Sequence, residues 1–155
     1  FLSAAQEVSD LHWRESPAPD CWSAAEVTAH VGMVEETRIF GMKRLLRSAT
    51  NPVPLRKRFH LPLAIATWRG RRVRTPIPLD PKRVRDKQES LAGLVATREA
   101  TLAFIESTRG ADVSLYHYQH TFLGSLNMYD WFRTIGYHEL RHPKQLRELV
   151  ETFHH

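Results

Sequence analysis

The chain has 155 residues, 42% of them apolar and 25% charged, which is the balance of a folded globular protein and excludes disordered, collagenous and low-complexity classes. Its apolar runs are too short to span a bilayer, so no membrane partner is expected. Its single cysteine, Cys21, excludes an internal disulfide framework and a cysteine-built zinc site. The net charge of +5 conceals a division: residues 56–87 hold eleven Lys and Arg against Asp80 and Asp86, a local excess of +9 that leaves −4 for the remainder.

The opening residues start at Phe1 and lack a charged segment followed by an apolar one. A reducing, cytoplasmic setting is therefore the expectation. Leu2, Ala5, Val8 and Leu11 recur at helical spacing and predict a first helix from residue 1 to about 14, stopped by Pro17 and Pro19. Ser23-Ala24-Ala25-Glu26 reads as a capping box, with Trp22 and Val27 as a staple across it. The helix it opens should run to about Ser48, with Val27, His30, Val34, Gly41 and Leu45 inward.

Residues 49–82 carry six of the nine prolines and read as a long basic crossover, with a short helix near Leu61 to Arg69. A third helix is expected from Pro81 or Lys82 to Thr108, with Leu91, Leu94, Val95, Leu102 and Ile105 as its stripe and Arg109-Gly110 as its stop. Residues 111–126 read as a second connection. A fourth helix then starts near Asn127, with Asp130 as a capping partner, and continues towards Phe153. The expected fold is all-α: one domain, residues 1–155, built as a four-helix bundle with long crossover connections.

The fourth helix presents one inward stripe: Met128, Trp131, Ile135, His138, His142, Leu146, Leu149 and Phe153. His138 and His142 stand one turn apart on it, where two imidazoles can share one ion. His30 repeats the feature on the second helix, between Val27 and Val34. A buried imidazole needs a hydrogen-bond partner or a metal. Three neutral ones that converge would hold a divalent first-row cation, with positions left open. The plainer alternative is three separately satisfied core histidines.

Three stretches add a resemblance. Trp22-Ser23-Ala24-Ala25-Glu26-Val27-Thr28-Ala29-His30 resembles the W-S-x-x-E-[VI]-x-x-H segment of the DinB/YfiT-like metalloenzyme family. His120 to Trp131 resembles its H-x-x-x-G-x-L-x-x-x-[ED]-W stretch, and His138 to Leu146 its H-x-x-R-H-x-x-Q-[IL] ending. The resemblance implies a four-helix bundle, a divalent metal on His30, His138 and His142, and a homodimer. It also implies chemistry such as thiol S-transfer with a low-molecular-weight thiol, or hydrolysis, on a small-molecule substrate it does not name. Pro143 departs from the pattern: it removes the ladder bond to the Glu139 carbonyl, so the helix should kink or His142 should sit on a distorted turn.

Other candidates have local explanations. Glu26 could orient His30, but the capping box accounts for it. Glu139 should face away from His138, since adjacent helix positions diverge by about 100°. His120 could line the pocket, but a bond to a loop carbonyl is the plainer reading; His117 with Tyr116 and Tyr118 reads as loop packing, and Cys21 as a small apolar residue. His154 and His155 are native or remains of a tag. The basic crossover, with Phe59 and Trp68, offers a phosphate-binding alternative in which a non-catalytic bundle acts through this loop or by dimerisation. No nucleic-acid fold surrounds it, so it is expected to be solvated, to lid the pocket, or to dock on acidic surface of the protein itself.

Overall fold

The computed structural model describes residues 1–54, 61–67 and 78–153. Most of the basic crossover (residues 56–58 and 69–74) and the terminal His154 and His155 lie outside them. Four α-helices carry the fold: α1 (Leu2–Glu7), α2 (Ala24–Leu46), α3 (Lys87–Ser107) and α4 (Met128–Phe153). Short 3-10 turns stand at Leu63–Thr67, Pro81–Arg83 and Val113–Leu115. A hairpin of β1 (His117–His120) and β2 (Gly124–Asn127) precedes α4.

The hairpin corrects the all-α expectation. Its strands pair antiparallel with His117 opposite Asn127 and His120 opposite Gly124, and Gly124 closes the loop at φ 96°. Asn51 extends the pairing from outside: its side chain accepts from His117 N at 2.9 Å and donates to His117 O at 2.7 Å, as a neighbouring strand would. Such a short ribbon leaves little periodicity in the sequence, and its signals were those of a loop.

The first helix is shorter than its spacing suggests. Ala4, Ala5, Val8 and Trp13 are buried, but Leu11 is 83% exposed, because the chain leaves the helix after Glu7 and turns at Ser9, whose hydroxyl accepts from His12 N. The cap of α2 is as read: Ser23 Oγ accepts from Glu26 N at 3.3 Å, and Glu26 Oε2 accepts from Ser23 N at 2.8 Å. Gly41 lies on its exposed side, and Ile39 and Met42 take the inward places instead. Helix α3 starts at Lys87, later than Pro81 or Lys82, because Asp86 caps it by accepting from Glu89 N at 2.8 Å. Its buried face is Leu94, Thr101 and Phe104, with Arg98 between them, while Val95 and Leu102 are exposed. At α4, Asn127 Oδ1 accepts from Asp130 N at 3.0 Å.

Helix α2 packs against α3 and α4, and α1 against α4. Two apolar clusters result. One joins Ile39 and Met42 of α2 to Phe104, Leu126, Met128, Trp131 and Ile135. The other joins Val27 and the start of α2 to Ala5, Val8, Trp13, Leu146 and Leu149. The start of α2 thus meets the end of α4, and the end of α2 the start of α4. Between the clusters, on both helices, lie the polar residues His30, Glu35, His138 and His142.

Candidate metal centre

The seam between the clusters brings the three predicted histidines together. His30 Nε2 lies 3.2 Å from His138 Nε2, and His142 Nε2 lies 3.3 Å from the same atom. One ring nitrogen from each lies within 4.8 Å of the others. His30 and His142 are each 5% exposed. Helix α4 continues through Pro143 from Met128 to Phe153, so the lost ladder bond does not carry His142 away from the cluster.

Proton bookkeeping distinguishes this cluster from three satisfied core residues. His142 Nδ1 faces Gln145 Oε1 at 3.1 Å; an amide oxygen only accepts, so that nitrogen carries the proton and Nε2 keeps its lone pair. His138 Nε2 has at most one proton to offer two neighbouring nitrogens. Burial first, then the His142 ring and the charges of Arg38 and Arg141, lowers the pKa of His30 to about 4. Burial first, then Arg38, the two other rings and Arg141, lowers that of His138 to about 2. His30 and His138 are therefore neutral at pH 7, and converging lone pairs remain. A divalent cation satisfies such a set. Nitrogens at about 2.0–2.1 Å from a tetrahedral ion stand roughly 3.3–3.4 Å apart, close to the two separations from His138 Nε2. The donor set fits a metal.

Several residues support the cluster in ways that the sequence did not show. Gln145, three positions after His142, fixes its tautomer. Glu35 is 2% exposed, and Arg98 of α3 donates to both its oxygens at 3.0 and 2.9 Å. Arg98 also donates to Glu139, which is thereby engaged in an ion pair beside His138. Arg38 Nη1 donates to Thr134 O at 2.9 Å, bridging α2 to α4 one turn before His138. The signal for Glu35 and Arg98 was available as opposite charges on neighbouring inward faces, but only a structure says which faces meet. Trp22 packs against His30, with ring centroids 4.8 Å apart. His30 Nδ1 has no hydrogen-bond partner among the described residues.

The remaining candidates resolve locally. Glu26 is consumed by the capping box. His120 Nδ1 accepts from Phe122 N and Leu123 N at 3.1 and 3.2 Å, tying the hairpin loop. The described end of the basic segment docks on acidic surface of the chain itself: Arg83 pairs with Glu36, Arg85 with Glu89, and Lys87 with Asp10. Among the described residues no helix is long and apolar enough to cross a membrane.

The DinB superfamily model matches residues 1–146, and the chain belongs to that superfamily. A curated relative, the uncharacterized protein YuaE of Bacillus subtilis (strain 168), is 26% identical over 150 residues, covering 93% of this chain and 86% of its own length. No solved structure matches significantly.

Proposed function

We propose that this protein is a divalent-metal-dependent enzyme whose ligands are His30, His138 and His142. The convergence of three Nε2 atoms in a seam between two apolar clusters carries the reading. Zinc or nickel suits three imidazoles. Such an ion supplies Lewis acidity and brings the pKa of a coordinated water or thiol close to neutrality.

The chain's own contributions follow from the geometry. Burial keeps His30 and His138 neutral, and so ready to bind, well below pH 7. Gln145 holds the His142 ring so that Nε2 points at its partners. The Arg98 ion pairs with Glu35 and Glu139 tie α3 to α2 and α4 beside the cluster. Trp22 covers His30 on one side and restricts water there.

The reaction class is thiol S-transfer with a low-molecular-weight thiol, or hydrolysis, on a small molecule. A single domain arranged as a four-helix bundle with long crossovers would carry it. A homodimer is part of the reading; the exposed Phe40 of α2 and Leu102 of α3 are apolar surface available to a second copy. The test is a paired assay on zinc- and nickel-loaded protein: transfer of a small thiol to an electrophilic acceptor, and hydrolysis of activated esters and amides. Turnover abolished by His142→Ala, in a variant that remains folded, is the expected result. Turnover unaffected by that substitution would refute the assignment.

A further inference from the structure

Arg38 has no evident structural employment for most of its guanidinium. It is half-buried, and one N–H donates to the Thr134 carbonyl. An arginine has five N–H donors. Glu35, one turn back on the same helix, has both oxygens accepting from Arg98. Among the described residues no carboxylate lies within ion-pair distance of Arg38. Glu35 attracts the guanidinium at longer range, but partial burial of a cation with no carboxylate in contact is still costly, and an anion brought to it would offset that cost.

Its position is informative. Thr134, which anchors it, lies one turn before His138 on α4, and four residues of helix rise span about 6 Å. On the same stretch of α4, the His120 ring lies over Trp131 with centroids 5.1 Å apart. Because His120 Nδ1 accepts two backbone N–H groups, a neutral His120 carries its proton on Nε2, and that donor has no partner among the described residues. Trp131 and Thr134 stand one turn apart on α4, and Thr134 Oγ1 donates to Trp131 O at 2.7 Å, so His120 and the Arg38 guanidinium meet the same turn of that helix.

We propose that Arg38, with His120 beside it, binds the carboxylate of a small organic acid whose reacting group lies at the three-histidine cluster one helical turn away. The reacting end of this assignment rests on the metal reading above; the carboxylate end does not. A carboxylate suits the site better than phosphate, because a monoanion costs less to desolvate in a half-buried position than a dianion. Arginine's planar fork matches its two oxygens.

The test is an NMR titration of the full-length protein, stripped of metal, with sodium acetate and separately with inorganic phosphate. The readouts are the Arg38 Nε–H signal and the His120 ring. Saturable acetate binding is expected in the millimolar range, weaker binding of phosphate, and a loss of about tenfold or more in Arg38→Met. Arg38→Lys should retain part of the affinity and shows that the fold tolerates change at this position. His138→Ala should leave acetate binding intact whether or not a metal binds, so failure of the metal reading would not mimic failure here. Binding unchanged in Arg38→Met, no saturation by about 50 mM, or phosphate preferred over acetate would overturn the proposal. In metal-loaded protein, acetate binding that His138→Ala abolishes and Arg38→Met spares would place the anion on the ion instead, and would also overturn it.

Discussion

Removing the Arg98 guanidinium should be among the most damaging single changes in this protein. Arg98→Met preserves side-chain length and helix propensity but leaves Glu35, 2% exposed, without the two hydrogen bonds that now hold its oxygens. Breaking a buried pair by deleting one partner costs about 3–5 kcal/mol, because the remaining charge is uncompensated. At about 2–4 °C per kcal/mol for a chain of this size, Tm should fall by roughly 6–20 °C. Replacing both partners, as Glu35→Leu with Arg98→Met, removes the buried charge as well and should recover most of that loss. Glu139, on the rim of the network, keeps partial access to water and adds little. The assay is thermal and urea unfolding of wild type, both single variants and the double variant as a thermodynamic cycle. A Tm change under about 2 °C for Arg98→Met, or a double variant no more stable than the single, would refute the argument that this ion pair fastens α3 to α2.

Three further outcomes follow from particular contacts. Gln145→Met should weaken metal binding about 10–100-fold with the fold intact, measured by competition with a chromophoric chelator, because His142 loses the acceptor that fixes its tautomer; equal affinity would show that Gln145 orients nothing. Ser23→Ala should cost about 1 kcal/mol in urea unfolding, through loss of the cap at the start of α2, without altering metal stoichiometry. For His120, burial first and then the charge of Arg38 lower the pKa from 6.5 to about 4. The folded state therefore disfavours the proton, so this contribution to stability is full above pH 6.5 and is lost as pH falls towards 4. Protonation also ends the acceptance from Phe122 N and Leu123 N, so the ring's NMR titration midpoint should lie near 4 and accompany loosening of the hairpin; a midpoint near 6.5 would contradict this.

Legibility in the sequence varied with how local each feature was. The start of α2 was readable to the residue, because a capping box is a four-residue device with its own chemistry. The inward stripe of α4 was readable because its apolar and histidine positions recur at one spacing over seven turns, and Met128, Trp131, Ile135, His142, Leu146 and Leu149 are buried as that spacing requires. His30 was placed beside His138 by the same logic on another helix, together with the resemblance of its flanking segment. The buried face of α3 was legible only in part: Leu94 and Leu91 face the core as their spacing requires, but an inward Arg98 and Thr101 look like surface residues until the buried Glu35 is seen opposite. The end of α1 and the hairpin were missed for a related reason. Both depend on contacts far along the chain, such as Trp13 Nε1 on the Arg85 carbonyl and Asn51 on His117. Neither contact leaves a periodic trace in its own segment. Pro143 shows a different limit: the proline marks a lost ladder bond, yet the helix continues through it from Met128 to Phe153.

The most direct test of the metal centre is elemental analysis of tag-free protein, before and after exposure to zinc and nickel, alongside His138→Ala. His138 Nε2 touches both partner nitrogens, so its loss removes both short contacts of the cluster at once. About one divalent ion per chain that survives dialysis is expected, and none in the variant while its helical circular dichroism is retained. A folded wild-type chain that takes up neither metal, or a variant that binds as well as wild type, would contradict the assignment.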